Sequence, residues 1–480
     1  MTHASFNRGP MHVARHVGGG AVSRPNSRQF LHSRTGPAAV RGRRGSVLII
    51  VIWVCLGLVA LTVYFASSMS SELHAAGNRV AEVSARQAVA GGTRYAAFVL
   101  SQFATNGTVP HIEDYKSEDL PVGDASFWFI GRDPNQTPTN EPVFGLVDEA
   151  SKLNLNTATR SMLEALPGMT PELADAILSW RRSANAQSSA EGNADNTYAR
   201  LDPPRLNKAG PFETVDELRL VYGATLDLLF GEDTNRNGAL DDNENDGEQS
   251  APRDDGDGLI HPGILEYVTV YSRQPNTRAD GSRRINIATP QTRPQLIGLL
   301  QRQFGGQRAA QIMAAIGTGA LRSVAEFMVV SRMTPEEFAR IRGDITTSNG
   351  GTVQGLVNVN TASETVLACI PGIGPENASA LVAYRLAHPD VLTSFAWITQ
   401  ILNRAAIVRA GPYITDQSFQ FCADVAAVGH SGRGYCREKT IFDLRRGTPR
   451  IVFHQDFTAY GWALGAQLRQ SLKEARDNRT

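Results

Sequence analysis

Residues 41–73 read RGRRGSVLIIVIWVCLGLVALTVYFASSMSSEL. Nineteen uncharged and mostly apolar residues, Val47 to Phe65, follow an arginine cluster, and a helix of that length spans the hydrocarbon core of a bilayer. No small-residue cleavage site of the secretory type follows the run. The chain then continues, without a turn residue, into a polar segment with helical spacing. This stretch predicts one long helix, half in a membrane and half packed on a folded domain.

Charge predicts the orientation of this helix. Residues 1–45 contain eight arginines and no acidic residue, and the cytoplasmic flanks of membrane spans carry such an excess of positive charge. We therefore expect a cytoplasmic leader, starting at Met1 or Met11, on a single-pass protein of the bacterial inner membrane. The C-terminal domain should lie in the periplasm. On this segment alone, an ordinary signal anchor is the alternative.

The junction Gly45-Ser46 resembles the processing site of type IV pilins and type II secretion pseudopilins. Prepilin peptidases cut these proteins after the glycine, so the resemblance implies a mature N-terminus at Ser46, usually N-methylated. Members of the family normally carry Glu at the fifth mature position, which is Ile50 here. The absence of this glutamate is typical of one subfamily, the minor pseudopilin K.

The second half of the predicted helix has an apolar stripe. The spacing of three to four residues is that of one helix face and involves Leu73, Ala76, Val80, Val83 and Ala90. Gly91-Gly92 should weaken the helix, because glycine costs about 1 kcal/mol relative to alanine in a helix interior. Thr105-Asn106-Gly107 predicts its end.

Strand-like runs lie on both sides of a mainly helical region, at 125–130, 143–147, 266–272, 418–428, 439–444 and 450–454. The first two predict a hairpin and the last three a C-terminal meander. A turn at 429–434 would place Cys422 opposite position 441, so a disulfide between Cys422 and Cys436 would need a shifted turn. The pattern predicts a sheet that carries a large helical insertion.

One phrase occurs twice in the helical region. KLNLNTA at 152–158 precedes an LPG turn at 166–168, and VNVNTA at 357–362 precedes an IPG turn at 370–372. A degraded copy, INIAT at 285–289, lacks the Pro-Gly turn. We expect the Asn or Thr oxygen of the strong copies to cap a helix. The phrase thus predicts a helical insertion built from repeated modules.

The phrase IPGIGPENA at 370–378 resembles the helix-hairpin-helix of DNA-binding proteins. In that motif a glycine turn offers backbone N–H groups to a phosphate at a helix N-terminus. Here Pro375-Glu376 follow the turn, as Pro171-Glu172 do in the other copy, and an acidic side chain repels a phosphate. We therefore expect a structural or partner-binding hairpin and no nucleic-acid partner.

An acidic segment within the first copy has the ligand spacing of an EF-hand loop. From Asp233 the chain reads DTNRNGALDDNE, with Gly238 where the loop must turn sharply. The spacing predicts one Ca²⁺ ion, held by Asp233, Asn235, Asn237, Asp241, Glu244 and the carbonyl of Ala239. A second ion has as candidate ligands Asp254, Asp255 and Asp257. The alternative is a disordered linker, since residues 232–257 contain ten acids against two arginines.

Composition and motifs argue against other classes of function. The 47 basic and 47 acidic residues cancel, so no overall basic field indicates a nucleic-acid partner. The histidines 261, 430 and 454 are scattered, and the sequence has no nucleophile elbow or phosphate loop. We expect no catalytic residues and no enzyme activity. A length of 480 residues predicts two or three compact units.

Taken together, the order of parts resembles the minor pseudopilin K of type II secretion. The resemblance is carried by the prepilin-like start without its glutamate, by VDEASKLNLNT at 147–157, by the acidic loop and by the second NVNTA module. It implies a calcium-binding periplasmic subunit at the tip of a pseudopilus. That subunit would start assembly with the I and J pseudopilins, contact the major pseudopilin and be processed by prepilin peptidase. Departures are the long leader, Ser46 and the extra segment around 285–350.

The predicted fold is α+β: a long N-terminal helix on a small antiparallel pilin-like sheet, with helix-hairpin-helix (SAM-like) modules inserted. The expected segments are 1–45 (leader), 46–107 (helix), 108–150 (first part of the sheet domain), 151–264 (module 1 with the calcium loop), 265–284 (strand and linker), 285–350 (degenerate repeat), 351–410 (module 2) and 411–480 (strands that complete the sheet). Two alternatives stay open: a minor pilin of a type IV pilus, and a membrane-anchored DNA receptor.

Overall fold

The computed structural model describes residues 46–104, 107–133, 141–182 and 197–477. The predicted leader and Gly45 lie outside the described residues. The chain divides into two compact units, Met1–Ser70 and Ser71–Thr480, and the boundary between them falls inside the first helix.

The first unit contributes the apolar part of helix α1, which comprises Ser46–Phe103. Every residue from 47 to 65 is exposed, and among the described residues α1 is the one helix long and apolar enough to cross a membrane. The predicted long helix is confirmed, and it continues through Gly91-Gly92 without a break.

The second unit is organised around one antiparallel sheet. The strands of the chain are β1 (Leu120–Val122), β2 (Ala125–Phe129), β3 (Val147–Asp148), β4 (Leu153–Asn154), β5 (Val268–Thr269), β6 (Arg273–Pro275), β7 (Ile285–Asn286), β8 (Ile345–Thr346), β9 (Thr352–Gln354), β10 (Val357–Asn358), β11 (Ile414–Thr415), β12 (Gln420–Gly429), β13 (Arg433–Asp443) and β14 (Arg450–Asp456). Six form the sheet, in the order β1-β2-β12-β13-β14, with β3 also pairing with β12. Strands from before the helical region therefore pair with strands from after it, as the sequence predicted.

Two of the predicted strands differ in the structure. The hairpin expected between 125–130 and 143–147 is reduced to one bridge, Ile130 opposite Phe144, and residues 134–140 lie outside the described part. The run at 266–272 is a strand only at Val268–Thr269, because Ile264–Tyr267 is helical. These helical residues end a helix of the first repeat that the acidic segment interrupts.

Small residues bring α1 close to the sheet. The buried positions of the helix are Ala81, Ala85, Ala88, Val89, Ala96, Val99 and Leu100. A Cβ atom on Gly92 would lie 2.6 Å from Val425 Cγ1 and 2.9 Å from Phe127 Cδ2, so glycine is needed for this contact. The predicted stripe is wrong, because Val80 and Val83 are exposed. Spacing alone predicted a buried helix face that includes large side chains, whereas the sheet packs against a face made mostly of small ones.

The register of β12 and β13 separates two of the cysteines. Cys422 lies opposite Ile441, and Cys436 lies opposite Ala427. Positions 422 and 427 are an odd number of residues apart on one strand, so their side chains point to opposite faces of the sheet. The predicted turn is confirmed, and this register keeps Cys422 and Cys436 apart.

Three repeats with the same framework make up the helical region. The remaining helices are α2 (Arg160–Glu164), α3 (Pro171–Arg181), α4 (Leu226–Phe230), α5 (Ile264–Tyr267), α6 (Arg293–Ile316), α7 (Val324–Ser331), α8 (Pro335–Ile341), α9 (Glu364–Ala368), α10 (Gly374–Ala387), α11 (Arg404–Ala410) and, after the repeats, α12 (Ala466–Asp477). Each repeat begins and ends with a two-residue strand, and the two strands pair in parallel: β4 with β5, β7 with β8 and β10 with β11. We call them repeat 1 (residues 153–269), repeat 2 (285–346) and repeat 3 (357–415). One continuous apolar core runs through all three.

The asparagine of the first strand makes the same two kinds of hydrogen bond in each repeat. Its side-chain oxygen accepts the N–H group two residues later, at 2.9 to 3.0 Å. Its side-chain amide group donates a hydrogen bond to a side chain that lies three residues after the Thr of the closing strand. The pairs are Asn154–Ser272, Asn286–Asn349 and Asn358–Ser418. The helix-cap prediction for Asn-Thr-Ala is wrong, because Thr159 and Ser363 cap the helices, while Asn156 and Asn360 donate to the carbonyl groups of Phe212 and Leu392.

Repeat 2, the degraded copy in the sequence, keeps the framework. Its strands pair as in the others, and Ile287 N–H donates to Thr346 O at 2.8 Å. Its helix α6 is bent where Gly305 adopts a φ of 79°. Gly305 therefore supplies the turn that Pro-Gly supplies elsewhere. Residues 273–275 and 352–354 pair as an antiparallel ribbon, from which repeat 2 extends.

Candidate metal centre

The acidic segment is an insertion into a helix of repeat 1. In repeats 2 and 3, the closing strand begins eleven residues after the residue that caps the last helix. The two pairs are Thr334 and Ile345 in repeat 2 and Asn403 and Ile414 in repeat 3. In repeat 1 the same step, from Thr225 to Val268, takes 43 residues. Thirty-two extra residues therefore stand between α4 and α5.

The insertion leaves and re-enters repeat 1 through a narrow neck. Gly263 N–H donates to Phe230 O at 2.8 Å. A Cβ atom on Gly231 would lie 2.2 Å from His261 O, and one on Gly263 would lie 2.4 Å from the backbone of Leu229. Glycine on both sides of the neck lets the segment leave the helix while α4 and α5 stay in contact.

Within the insertion, side-chain oxygens shape the predicted loop. Asp233 accepts the N–H groups of Asn237 at 2.9 Å and Gly238 at 3.0 Å. Asn235 Oδ1 accepts from Asn237 N–H at 2.9 Å, and Asn237 Oδ1 accepts from Ala239 N–H at 2.8 Å. Gly238 has a φ of 75°, in the left-handed region that glycine favours. The oxygens of positions one, three and five are thereby directed into the loop.

The two remaining carboxylates close the loop from the other side. The amide groups of Asn235 and Asn237 donate to Asp241 Oδ2 at 2.6 and 3.0 Å. The Glu244 carboxylate accepts the N–H groups of Thr234 at 3.1 Å and Asp241 at 3.2 Å. The structure thus links the five predicted ligand residues in one hydrogen-bonded loop, in which Ala239 is buried.

Three of these groups are carboxylates, and two of them are almost fully buried. Asp233 is 3% exposed and Glu244 is 1% exposed. Burial raises the pKa of Glu244 to about 8 and also raises the pKa of Asp233 and of Asp241. Arg132, whose charge acts on Asp233, is paired with Glu266 at 2.9 Å. Buried carboxylates are costly without a counter-charge, and an all-oxygen donor set is the one that Ca²⁺ takes. The residues present fit that ion.

The three candidates for a second ion separate. Asp255 and Asp257 lie together with His261, their ligand atoms within 4.8 Å of one another, and all three are exposed. Asp254 turns away and accepts the N–H groups of Asp246 at 3.1 Å and Gly247 at 2.8 Å. Sequence reasoning assigned no ligand role to His261, whose Nε2 atom lies 3.1 Å from Asp257 Oδ2 in the structure.

The glycine turns of the two strong hairpins are packed against a following helix. A Cβ atom on Gly372 would lie 2.6 Å from Ala406 O, on α11. At the equivalent place in repeat 1, a Cβ on Gly168 would lie 2.8 Å from Leu228 Cδ1, on α4. A turn that packs against a helix in this way stabilises the repeat. Because the helix covers the turn, access of a phosphate to its N–H groups would be restricted.

Comparison with known proteins assigns two parts of the chain. Residues 143–229 match the family model of type II secretion system (T2SS), protein K, and residues 353–394 match that of the helix-hairpin-helix motif. No curated protein matches the chain. Among solved structures, it is similar to a chain in the crystal structure of the GspK-GspI-GspJ complex from the enterotoxigenic Escherichia coli type 2 secretion system. The identity is 10% and the TM-score 0.37, covering 77% of this chain and 96% of that chain.

The protein K match begins in the segment that bridges to β2 and ends at Leu229, next to the neck of the insertion. It contains residues 147–157, VDEASKLNLNT, the phrase on which the sequence resemblance depends most. It also contains β3, β4 and the hairpin of repeat 1. Residues 143–229 therefore match the protein K domain of the type II secretion system.

Proposed function

We propose that the protein is a minor pseudopilin at the tip of a type II secretion pseudopilus, where it initiates assembly and so helps to drive protein export across the outer membrane. The observation that carries the proposal is the protein K domain at residues 143–229. In the same chain, the first part of helix α1 is apolar. The last part of α1 contributes to the core of the antiparallel sheet. A helix shared in this way is the pilin plan.

The family also implies a route of maturation. The arginine-rich segment before Gly45 would stay in the cytoplasm, prepilin peptidase would cut before Ser46, and the new N-terminus would be methylated. The helix would then anchor the protein in the inner membrane, with the sheet and repeats in the periplasm. N-terminal sequencing should find Ser46 first. An intact leader, or a cut after Phe65, would contradict this route.

The partners proposed are the I- and J-type minor pseudopilins and the major pseudopilin. The full chain, tagged at its C-terminus and co-expressed with them, should retain the I and J types when purified from detergent-solubilised membranes. A control that carries residues 1–71 on an unrelated periplasmic domain measures association through the anchor alone. Capture of type IV pilins in their place would favour a pilus subunit. Salt-sensitive binding of duplex DNA with a Kd below about 10⁻⁶ M would favour a DNA receptor.

We further propose that the loop from Asp233 to Glu244 binds one Ca²⁺ ion as a structural staple. The support is the convergence of five oxygen-bearing side chains on one loop and the burial of Asp233 and Glu244. Calorimetry on the full chain in detergent should show calcium uptake, and Glu244→Gln should abolish it. Glu248→Gln, an exposed carboxylate of the same insertion, is the matched control. Equal uptake by the wild type and Glu244→Gln would refute the site.

A further inference from the structure

A buried guanidinium of the sheet reaches the metal loop. Arg437, in β13, is fully buried, and its Nε and Nη2 atoms donate to the two carboxylate oxygens of Asp424 in β12, both at 2.7 Å. Its other hydrogen bonds leave the sheet: Nη1 donates to the carbonyl oxygen of Asn235, and Nη2 donates to that of Arg236 at 2.8 Å. The sheet and the loop thus share one arginine.

A second guanidinium holds the same turn from another strand. Arg132, three residues after β2, donates from Nη2 to the carbonyl oxygen of Arg236 at 2.7 Å and from Nη1 to that of Asn237 at 3.3 Å. Its Nε atom lies 2.9 Å from Glu266 Oε1, on α5. We call Arg132 and Arg437 the arginine clasp. Together they bind three successive carbonyl oxygens of the loop, 235 to 237.

The C-terminal segment contacts the turn from a third side. Asn235 Nδ2 donates to Trp462 O at 3.0 Å, and the guanidinium of Arg236 lies 5.2 Å from the centroid of the Phe457 ring. The residues between the ligand positions therefore face two ways. The side-chain oxygens of Asn235 and Asn237 are predicted ligands, whereas the carbonyl groups of residues 235–237 and the side chain of Arg236 contact the sheet and the segment after it.

We propose that the arginine clasp couples metal binding to the docking of repeat 1 on the sheet. The inference rests on the proposed calcium site. Without a cation, three carboxylates of one buried loop repel one another and lose hydration, which favours an open loop. An open loop withdraws its carbonyl oxygens from Arg437, and a buried guanidinium with unpaired N–H groups is costly. The ordered loop and the docked repeat therefore stabilise each other.

Coupling between two sites is reciprocal. If an ion in the loop tightens the contact with the sheet, then weakening that contact must lower the affinity for the ion by the same factor. Arg132 and Arg437 are accordingly positioning residues, which act on the ion through the loop backbone. Allosteric couplings commonly amount to about 5- to 150-fold in affinity, and we expect about tenfold for the loss of one clasp arginine.

Calcium titration combined with hydrogen exchange tests the coupling in the full chain in detergent micelles. The variants are Arg437→Lys and Arg132→Gln, with Arg450→Gln, at an exposed position of β14, as the control. Arg132 has a side chain that is 19% exposed, so Arg132→Gln provides the test if Arg437→Lys does not fold. In the wild type, calcium should slow exchange in β12, β13 and residues 457–462, which lie outside the loop.

The proposal predicts about tenfold weaker calcium binding for each folded clasp variant and a loss of the calcium-dependent protection in β12 and β13. The control should match the wild type in both measurements. Unchanged affinity and retained protection in Arg132→Gln would overturn the coupling and leave the calcium site in place. If the wild type takes up no calcium at all, the site and the coupling both fail, and the role in secretion is judged by partner capture alone.

Discussion

Repeats 1 and 3 have the same framework, but the direction of their hydrogen bonds to the sheet differs: the sheet accepts from repeat 3 and donates to repeat 1. Asp148, in strand β3 of the sheet, accepts hydrogen bonds from the hydroxyl groups of Thr361 in repeat 3 and Ser418 just after it. In repeat 1, Arg437 of the sheet donates to carbonyl groups of the 32-residue insertion. Repeat 3 completes its last helix without any insertion, so the framework does not need the metal loop. The difference teaches that the insertion serves docking and, in our proposal, metal binding, whereas the parallel strand pairs and the core hold each repeat together.

The largest expected effect distinguishes the two hairpin turns. A Cβ on Gly372 would meet the backbone oxygen of Ala406 at 2.6 Å, whereas a Cβ on Gly168 would meet only the end of the Leu228 side chain. Both glycines have positive φ. We expect Gly372→Ala to lower the free energy of unfolding by about 3 kcal/mol or more and Gly168→Ala by about 1–2 kcal/mol. Urea unfolding of the full chain in detergent measures both.

Gly319→Ala is the control for this pair, because a Cβ atom there would meet nothing within 4 Å. Its effect should stay within about 0.5 kcal/mol. Equal losses for Gly372→Ala and Gly168→Ala would show that the two turns are packed alike, contrary to the structure.

Removal of calcium should affect repeat 1 and spare repeat 3. Ligand binding at a hundredfold excess over Kd adds about 2.7 kcal/mol of stability, and chelation should remove it. Limited proteolysis with mass spectrometry should then find new cuts in residues 232–257, and Glu244→Ala should reproduce them without chelation. Cuts that appear at the same rate in repeat 3 would contradict a local role for the ion.

Asp148 should make the attachment of repeat 3 depend on pH. Burial raises the pKa of this carboxyl group from 3.8 to about 6, although hydrogen bonds from Ser418 and Thr361 lower it. Between these pH values the folded state binds the proton and the unfolded state does not, so this group's contribution to stability falls as the pH rises from about 4 to about 6. Asp148→Asn should cost about 2 kcal/mol, since an amide cannot accept all the bonds of the carboxylate.

The measurement is the difference in unfolding free energy between the wild type and Asp148→Asn from pH 4 to pH 7. The advantage of the wild type should shrink across this range. Asp124→Asn, at an exposed carboxylate, is the control. A difference that stays constant with pH would show that Asp148 titrates alike in the folded and unfolded states.

The smallest effect concerns an arginine that occupies the equivalent position in repeats 1 and 3. Arg385 donates to Val359 O at 3.2 Å and Ala362 O at 2.6 Å, and Arg181 donates to the equivalent carbonyl groups in repeat 1. Lysine cannot span both acceptors. Arg385→Lys should cost about 1 kcal/mol, and Arg181→Lys should cost less because water reaches its partly exposed site. Thermal unfolding of the two variants, compared with the exposed Arg404→Lys, checks the order.

Features that depend on neighbours in the chain could be predicted from the sequence. The long helix, the repeated helical modules and the EF-like loop all follow from local sequence patterns, whereas the short parallel strand pairs of the repeats were not predicted. The clasp could not be predicted, because Arg437 lies about two hundred residues after the carbonyl groups that it binds. The buried face of α1 was missed for another reason: a helix rich in alanine offers two plausible faces, and only contact with the sheet selects the one that contains Gly92.

The pairing of β2 with β12 also constrains the order in which the chain folds. Phe129 and Val425 are partners although 296 positions separate them. Closing so long a loop in an unfolded chain costs about 5 kcal/mol in entropy. Repeats that fold first shorten the distance to be closed, because the ribbon of β6 and β9 and the strand pairs bring distant residues together. Until β12 is available, the edge of β2 that β12 covers stays open, and an open strand edge is a site for aggregation. Folding of the middle of the chain before its two ends meet would shorten the time for which this edge is open.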